Sequence, residues 1–400
     1  MKTLLNNYLN TFKGLSKEVW WLALITLINR SGAMVIPFLS IYLNESLNFS
    51  ESNIGTILSC FGLGAVVGSW LGGKLTDRIG YYKVMVRSLV STGLLFIALQ
   101  FLNSFYSVCL GVFLVTVVAD MFRPAMFVAL SAYSKPKNKT RSVTLIRLAI
   151  NLGFSAGPAV GGLIVTFWDY NGLFWVDGIT CILATLLMVM VLNPKKAKVQ
   201  DDVKVENPES AYKDKVFLMF LFAMFLFGVV FLQLISTIPL YYRNGHMLTE
   251  FQIGFLLGAN GFIIFLLEMP LISWLENTKL SKVTLIVLGT FLTMLSFLVF
   301  NTTGWSGILI VSMILISLGE MIVFPFSNAF AYDRASKGNQ GEYMALYSIA
   351  FSLSHLFGHK GGMEMVSRLG YDNTWYIITG IGCICVFLLY ILKNYLRKSV

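Results

Sequence analysis

The chain has 400 residues, of which 56% are apolar, 14% aromatic and only 12% charged, against about a quarter charged in a soluble domain. That balance excludes an ordinary soluble protein and makes a membrane the natural solvent. The net charge of +10, from 30 Lys and Arg against 20 Asp and Glu, excludes nothing until the cations are placed along the chain.

Crossing a bilayer takes about 20 predominantly apolar residues, and twelve stretches meet that demand. The first, 18–43, follows a polar, amphipathic segment without a signal-peptide pattern and carries Asn29 and Arg30. The second, 52–73, runs into Gly73-Lys74-Leu75-Thr76-Asp77-Arg78-Ile79-Gly80-Tyr81-Tyr82-Lys83, a charged stretch read as a loop to the third, 84–103. The fourth, 106–133, holds Asp120 and Arg123; the fifth, 142–168, holds Arg147 and Asn151 on one face and then Gly153, Gly157, Pro158, Gly161 and Gly162. The sixth is 172–193. A polar linker, 194–214, then separates a first domain, 1–193, from a second, 215–400.

The second domain opens with the seventh stretch, 215–241, and the eighth, 251–275, where Glu268 precedes Met269 and Pro270 and a kink would expose it. After the ninth, 282–300, the tenth, 306–332, sets Glu320, Phe324 and Asn328 on one helical face. The eleventh, 342–367, does the same for His355 and His359, followed by Lys360; the twelfth is 373–393. Asp77 and Glu276 stand at the same offset as Lys83 and Lys282, which suggests that the halves arose by duplication. Outside the apolar stretches, only Arg243 and Arg368 among the Lys and Arg fall opposite the remaining cations. Positive loops face the cytoplasm, so both termini are expected there.

A charge at the bilayer centre costs ~2.5–3.5 kcal/mol on insertion scales, so such residues face a wet cavity or a partner. Arg30, Arg123 and Arg147 make the first half cationic at depth. They form either an anion-attracting wall, with Asn29 and Asn151, or structural staples to interior acids. Asp120 and Arg123, three apart, also read as a self-satisfied pair. The second half carries carboxylates and imidazoles. Glu320, Glu268, Asp120, His355 and His359 are the candidates for carrying a proton; packing or hydrogen bonding within the bundle is the alternative for each. Phe324 and Asn328 extend the candidate cavity lining.

Two histidines four apart invite a metal, but no third ligand is evident, and the five cysteines lie in apolar runs without zinc spacing. No phosphate-binding loop or nucleophile triad is present, so neither cofactor nor enzyme activity is expected.

The stretch Gly73–Lys83 resembles the signature loop of the major facilitator superfamily, between its second and third helices. Gly153-Phe154-Ser155-Ala156-Gly157-Pro158-Ala159-Val160-Gly161-Gly162 resembles the Gly-Pro motif of that superfamily's proton-coupled drug antiporters. Gly319-Glu320-Met321 with Pro325 is similar to the tenth helix of many bacterial members. Residues 106–119 lack the basic residue that exporters often carry in the fourth helix.

The resemblance implies an all-α polytopic membrane protein, two six-helix bundles around a cavity, working by alternating access. It implies a latch at Gly73, Asp77, Arg78, Gly80 and Lys83 and a hinge at Gly153, Gly157, Pro158, Gly161 and Gly162. The expected function is proton antiport exporting an amphiphilic or drug-like small molecule from a bacterial inner membrane. The alternatives are proton symport of an anionic or zwitterionic solute such as a short peptide, with Thr26 and Asn29 where peptide symporters carry acids, and lysolipid transport. The expected partners are small-molecule substrate, protons and lipid, with no nucleic acid and a monomeric carrier.

Overall fold

The computed structural model describes residues 14–134, 139–194, 210–335 and 340–398, and these contain helices and no strand. Most of the polar linker lies outside the described residues. The helices are α1 (Lys17–Ser31), α2 (Val35–Glu45), α3 (Glu51–Ile79), α4 (Tyr81–Leu99), α5 (Phe105–Asp120), α6 (Phe122–Tyr133), α7 (Lys139–Trp168) and α8 (Asn171–Val191). The second half holds α9 (Lys215–Phe231), α10 (Gln233–Leu240) with a π-turn at Tyr241–Gly245, α11 (Glu250–Glu276), α12 (Lys282–Leu298), α13 (Ile308–Ala335) and α14 (Gln340–Lys398).

Among the described residues, eleven helical segments are long and apolar enough to cross a membrane. The last of them contains Gly370 at φ 75° and ψ 176°, outside helical geometry, so two spans meet there and the twelve stretches become twelve spans.

Three of the long apolar stretches are interrupted as helices. Span one breaks after Ser31, because Pro37 has no N–H to offer the carbonyl of Ala33, four residues back. Span four breaks at Met121 for the same reason, with Pro124 opposite the carbonyl of Asp120. Span seven tightens at Leu232, whose N–H reaches the carbonyls of Gly228 and Val230. Pro158, Pro270 and Pro325, by contrast, lie inside unbroken helices.

The expected signature loop is also mostly helix. Gly73–Ile79 forms the end of α3 and Lys83 stands in α4, so Gly80 alone joins them, at φ 85°. That left-handed conformation suits glycine. Gly73 makes no close approach, since a side chain there would meet nothing; its neighbour Gly72 lies against the Met121 backbone instead.

The chain divides into two compact units: Met1–Ile36 with Gly64–Asp201, and Pro37–Leu63 with Asp202–Val400. Within the first, Leu22, Leu89, Phe122, Met126, Ile146 and Met188 share one core. Within the second, Phe217, Phe220, Met224, Val323, Tyr343 and Leu389 share another. Asp214 closes the second core at one end. It caps α9 by accepting from the Phe217 N–H at 3.1 Å, and receives the Arg334 guanidinium at 2.8 and 2.7 Å and the Tyr343 hydroxyl at 3.2 Å. One carboxylate thereby joins α9, α13 and α14.

Candidate functional site

In the second unit the acids lie on the facing helices α11 and α13. The side-chain amide of Asn260 donates to Ser317 Oγ at 3.0 Å and to Glu320 Oε2 at 3.3 Å. Glu268, two helical turns beyond Asn260, is within electrostatic reach of Glu320. Pro270 does not expose Glu268, which keeps 3% of its surface. The geometry brings Glu268 within electrostatic reach of Glu320 and ties Glu320 to Asn260, an amide that sequence reasoning passed over.

One turn beyond Glu320, Phe324 packs edge-on to Phe227 and Phe231 at 5.7 and 5.1 Å and tilted against Phe351 at 5.5 Å. The acids therefore stand next to an aromatic cluster, a combination that can hold a charge and an apolar body together. Asn328, one turn farther on, is exposed, and its amide donates back to the Phe324 carbonyl at 3.0 Å.

On α14, His355 Nδ1 and His359 Nε2 lie 3.2 Å apart, and His359 is fully buried. The next residue, Lys360, donates to the Ser52 carbonyl at 2.9 Å, to Ser52 Oγ at 2.8 Å and to Thr56 Oγ1 at 2.9 Å. Its ammonium is 3.6 Å from Glu364, which also accepts from Ser52 Oγ at 2.7 Å and Arg368 at 2.6 Å. Ser59 Oγ, farther along α3, donates to the Leu356 carbonyl at 2.8 Å. The histidines thus sit in a seam joining the first half of α3 to α14 within the second unit. Among the described residues no group of three or more His, Cys, Asp or Glu is placed to hold a metal.

In the first unit, Arg30 stands at the end of α1 with Asp120 and Arg123 within electrostatic reach. Asp120 and Arg123 flank the break at Met121 rather than sharing one continuous helix. The Arg30 guanidinium lies over the Phe154 ring at 5.5 Å, and its Nε is buried without a hydrogen-bond partner among the described residues. Asn29 donates to Cys181 Sγ at 3.4 Å. Gly153 admits Arg30: a Cβ there would lie 2.5 Å from Arg30 Cβ, while one at Gly157 would lie 3.2 Å from the Ala33 carbonyl. These two glycines face span one within their own unit. Arg147 and Asn151 are half-buried on α7, and Pro158, Gly161 and Gly162 follow on the same helix. Asp77, Arg78 and Lys83 are exposed.

Two buried polar residues were not singled out from the sequence. Asp177 on α8 accepts from the Met34 N–H at 2.8 Å and the Val35 N–H at 3.1 Å, at the break of span one. Gln233, at the turn in span seven, donates to the carbonyls of Val229 and Gly358 at 2.8 and 3.0 Å. The signal for both is a lone polar residue inside an apolar run, the criterion that picked out Glu268 and Glu320.

The family model described as Major Facilitator Superfamily matches residues 19–359, which takes in both units and all of these clusters except Lys360, Glu364 and Arg368. The chain belongs to the Major Facilitator Superfamily. As a member it is an integral membrane transporter of small molecules rather than an enzyme. Superfamily relatives share low identity over nearly the whole chain. A Na(+), Li(+), K(+)/H(+) antiporter from Planococcus maritimus is 23% identical over 93% of this chain and 95% of its own. The class B tetracycline resistance protein from Escherichia coli is 22% identical over 91% and 92%. The fold is shared more widely. A POT family transporter crystallised with 5-aminolevulinic acid superposes with a TM-score of 0.81 at 15% identity, covering 97% of each chain. The nucleoside transporter NupG reaches 0.78 at 14%, covering 94% of this chain and 100% of its own.

Proposed function

We propose that this superfamily member is a proton-coupled antiporter that exports an amphiphilic small molecule by alternating access, as a monomer in a bacterial inner membrane with both termini cytoplasmic. The observation that carries the reading is the Asn260–Glu320 hydrogen bond, with the buried Glu268 in electrostatic reach of Glu320, on a helix that also presents Phe324 to Phe227, Phe231 and Phe351. A carboxyl in apolar surroundings takes up a proton more readily than one in water. Loading Glu320 from outside removes the charge that would hold a cationic substrate, and unloading it to the cytoplasm restores that charge. The aromatic rings supply the surface for the apolar body of the substrate. The antiporter and tetracycline-resistance relatives support exchange over one-way import. In this scheme Gly80 and its charged neighbours act as the latch, and the glycines of α7 as the pivot against span one.

A second reading, proton symport of a zwitterionic solute, is favoured by Arg30. Its Nε lacks a hydrogen-bond partner among the described residues, and a guanidinium fork matches a substrate carboxylate.

The test is lumenal pH in proteoliposomes, with wild type beside Glu320→Gln, challenged with gradients of tetraphenylphosphonium, a dipeptide, a lysophospholipid, or Na⁺ and K⁺. Antiport predicts proton flow opposed to the lipophilic cation and lost in Glu320→Gln. Opposed flow with Na⁺ or K⁺ alone would keep the coupling and replace the amphiphile with a metal ion. Protons moving together with the dipeptide would establish symport in its place. Any of these solutes transported without protons would remove the coupling.

A further inference from the structure

Spans one and two, Lys17–Glu45 and Glu51–Ile79, belong by sequence to the first six-helix half, yet residues 37–63 pack among helices of the second. They do so toward the membrane face where span one ends, opposite its start at Lys17. That face is the outer one in the reading above. In a carrier whose halves, 1–193 and 215–400, rock against each other, contacts between the halves on the outer face exist in the outward-closed form and part for release.

The deeper layer of this contact is a close helix seam. Ser52, Gly55, Ser59 and Gly62 follow on α3 at spacings of three, four and three, which makes one helical face of small residues. A Cβ at Gly55 would lie 2.8 Å from Met363 Cβ, and one at Gly62 would lie 2.4 Å from His355 Cβ, so α3 rests directly on α14. The Lys360 and Ser59 hydrogen bonds cross the same seam.

The shallower layer is a charge cluster at the mouth. Glu45 is the last residue of α2, Arg243 lies in the π-turn that ends span seven, and Glu250 is the first residue of α11. The Arg243 guanidinium binds Glu45 through Nε. One terminal nitrogen lies 3.2 Å from Glu250, and the other donates to the Leu248 carbonyl at 3.1 Å. Beside it the Asn244 amide donates to Asn44 Oδ1 at 3.5 Å. Of the two cations that the sequence places on this face, Arg368 pairs with Glu364 on its own helix, whereas Arg243 reaches an acid of the other half.

We infer that Arg243 is the positioning residue that holds the outer mouth closed. One cation stands between two carboxylates, Glu45 from the first half and Glu250 from its own. Taking the cation away leaves two like charges at the contact, so attraction between the halves turns into repulsion instead of merely disappearing. The three side chains are 17–30% exposed, so water and salt moderate the effect. The inference rests on the alternating-access reading, but not on which group carries the proton or what is transported.

The test uses the full-length protein in nanodiscs, with its native cysteines replaced. Spin labels stand at Asn103 and Gly304, in the loops after spans three and nine, or at Arg141 and Lys279, at the opposite ends of the spans. Distance distributions are read in wild type, Arg243→Gln, Arg243→Lys, Glu45→Gln and the double variant Arg243→Gln/Glu45→Gln. In Arg243→Gln the ratio of long to short outer distances is expected to rise roughly fivefold, with the inner distances shortening to match. Arg243→Lys keeps the charge without the fork and is expected to fall between. Glu45→Gln leaves Arg243 on Glu250 and should shift the ratio less than Arg243→Gln does. Adding it to Arg243→Gln removes the repulsion and should bring the ratio part of the way back. An unchanged outer distribution in Arg243→Gln would overturn the inference. So would longer outer distances with unchanged inner ones, which would mean a loosened loop and not an opened mouth. A double variant that shows no return would also overturn it, since the effect would not be electrostatic. Neither label pair needs transport, so a failure of proton coupling at Glu320 leaves the result readable.

Discussion

Gln233 and Gly358 lie 125 residues apart in sequence and are joined by one hydrogen bond, from the Gln233 amide to the Gly358 carbonyl at 3.0 Å. Gln233 has no exposed surface, and its oxygen accepts from the Thr237 hydroxyl. Every polar atom of a buried amide has to be accommodated in this way, and here the turn at Leu232 in span seven is tied to α14 by it.

This arrangement has a steric consequence one turn farther along α14. A Cβ at Gly362 would overlap the Gln233 carboxamide, whereas one at Gly361 would meet nothing. Gly362→Ala is expected to destabilise by about 1–3 kcal/mol, the usual range for overpacking. Gly361→Ala is expected to be neutral or to stabilise by up to ~1 kcal/mol through helix propensity. Thermal unfolding of the two variants in detergent, followed by tryptophan fluorescence, checks the contrast.

Asp214, ahead of the first residue of α9, gives a pH dependence. Burial pushes its carboxyl up, but the Arg334 guanidinium, the Phe217 N–H and the Tyr343 hydroxyl outweigh that and hold it below the usual carboxylate range. The folded value is thus lower than the unfolded one of about 3.9. The stabilisation is full above the unfolded value and is lost as pH falls below it through the folded value. Asp214→Asn is expected to lower stability by ~2 kcal/mol at neutral pH and by progressively less toward pH 3. Melting temperatures of both proteins between pH 3 and 7 should converge on the acid side.

Lys360 and Arg368 both pair with Glu364, yet they should not matter equally. Lys360 also satisfies Ser52 and Thr56, at 2.8–2.9 Å. The Arg368 side chain is 75% exposed, and exposed pairs one helical turn apart contribute about 0.3–0.5 kcal/mol. Lys360→Met is expected to cost ~1–3 kcal/mol, since it strips the donor from several acceptors. Arg368→Gln is expected to stay within ~0.5 kcal/mol. Chemical denaturation in mild detergent distinguishes the two.

Glu320 and Asn260 should be separable in function. Glu320→Gln keeps the shape and removes the titrating group, so proton flux linked to tetraphenylphosphonium should fall roughly tenfold or more. Asn260→Ala removes the donor to Ser317 and Glu320 but leaves the carboxyl in place, so coupling should persist at a lower rate. Equal, complete loss in both variants would point to collapse of the α11–α13 contact instead of loss of the proton carrier; flux measured beside a melting curve tells these apart.

The amino-acid sequence by itself determined the membrane spans and the superfamily. Both follow from local properties: hydropathy over about 20 residues, glycine and charge spacing around Gly80, and the glycine run on α7. The depth of Glu268, Glu320, Arg30 and His359 in the bundle was legible for the same reason, since a charged or titratable residue inside an apolar run has few places to go. The tertiary structure alone decided what those groups meet. Glu320 finds Asn260, Lys360 finds Ser52 and Thr56, and Arg334 finds Asp214. It also decided that residues 37–63 group with the second unit and that Asp177 holds the break of span one. A partner is fixed by the rotation and depth of each helix against its neighbours, and those follow from packing summed over whole helix faces rather than from any short stretch of chain.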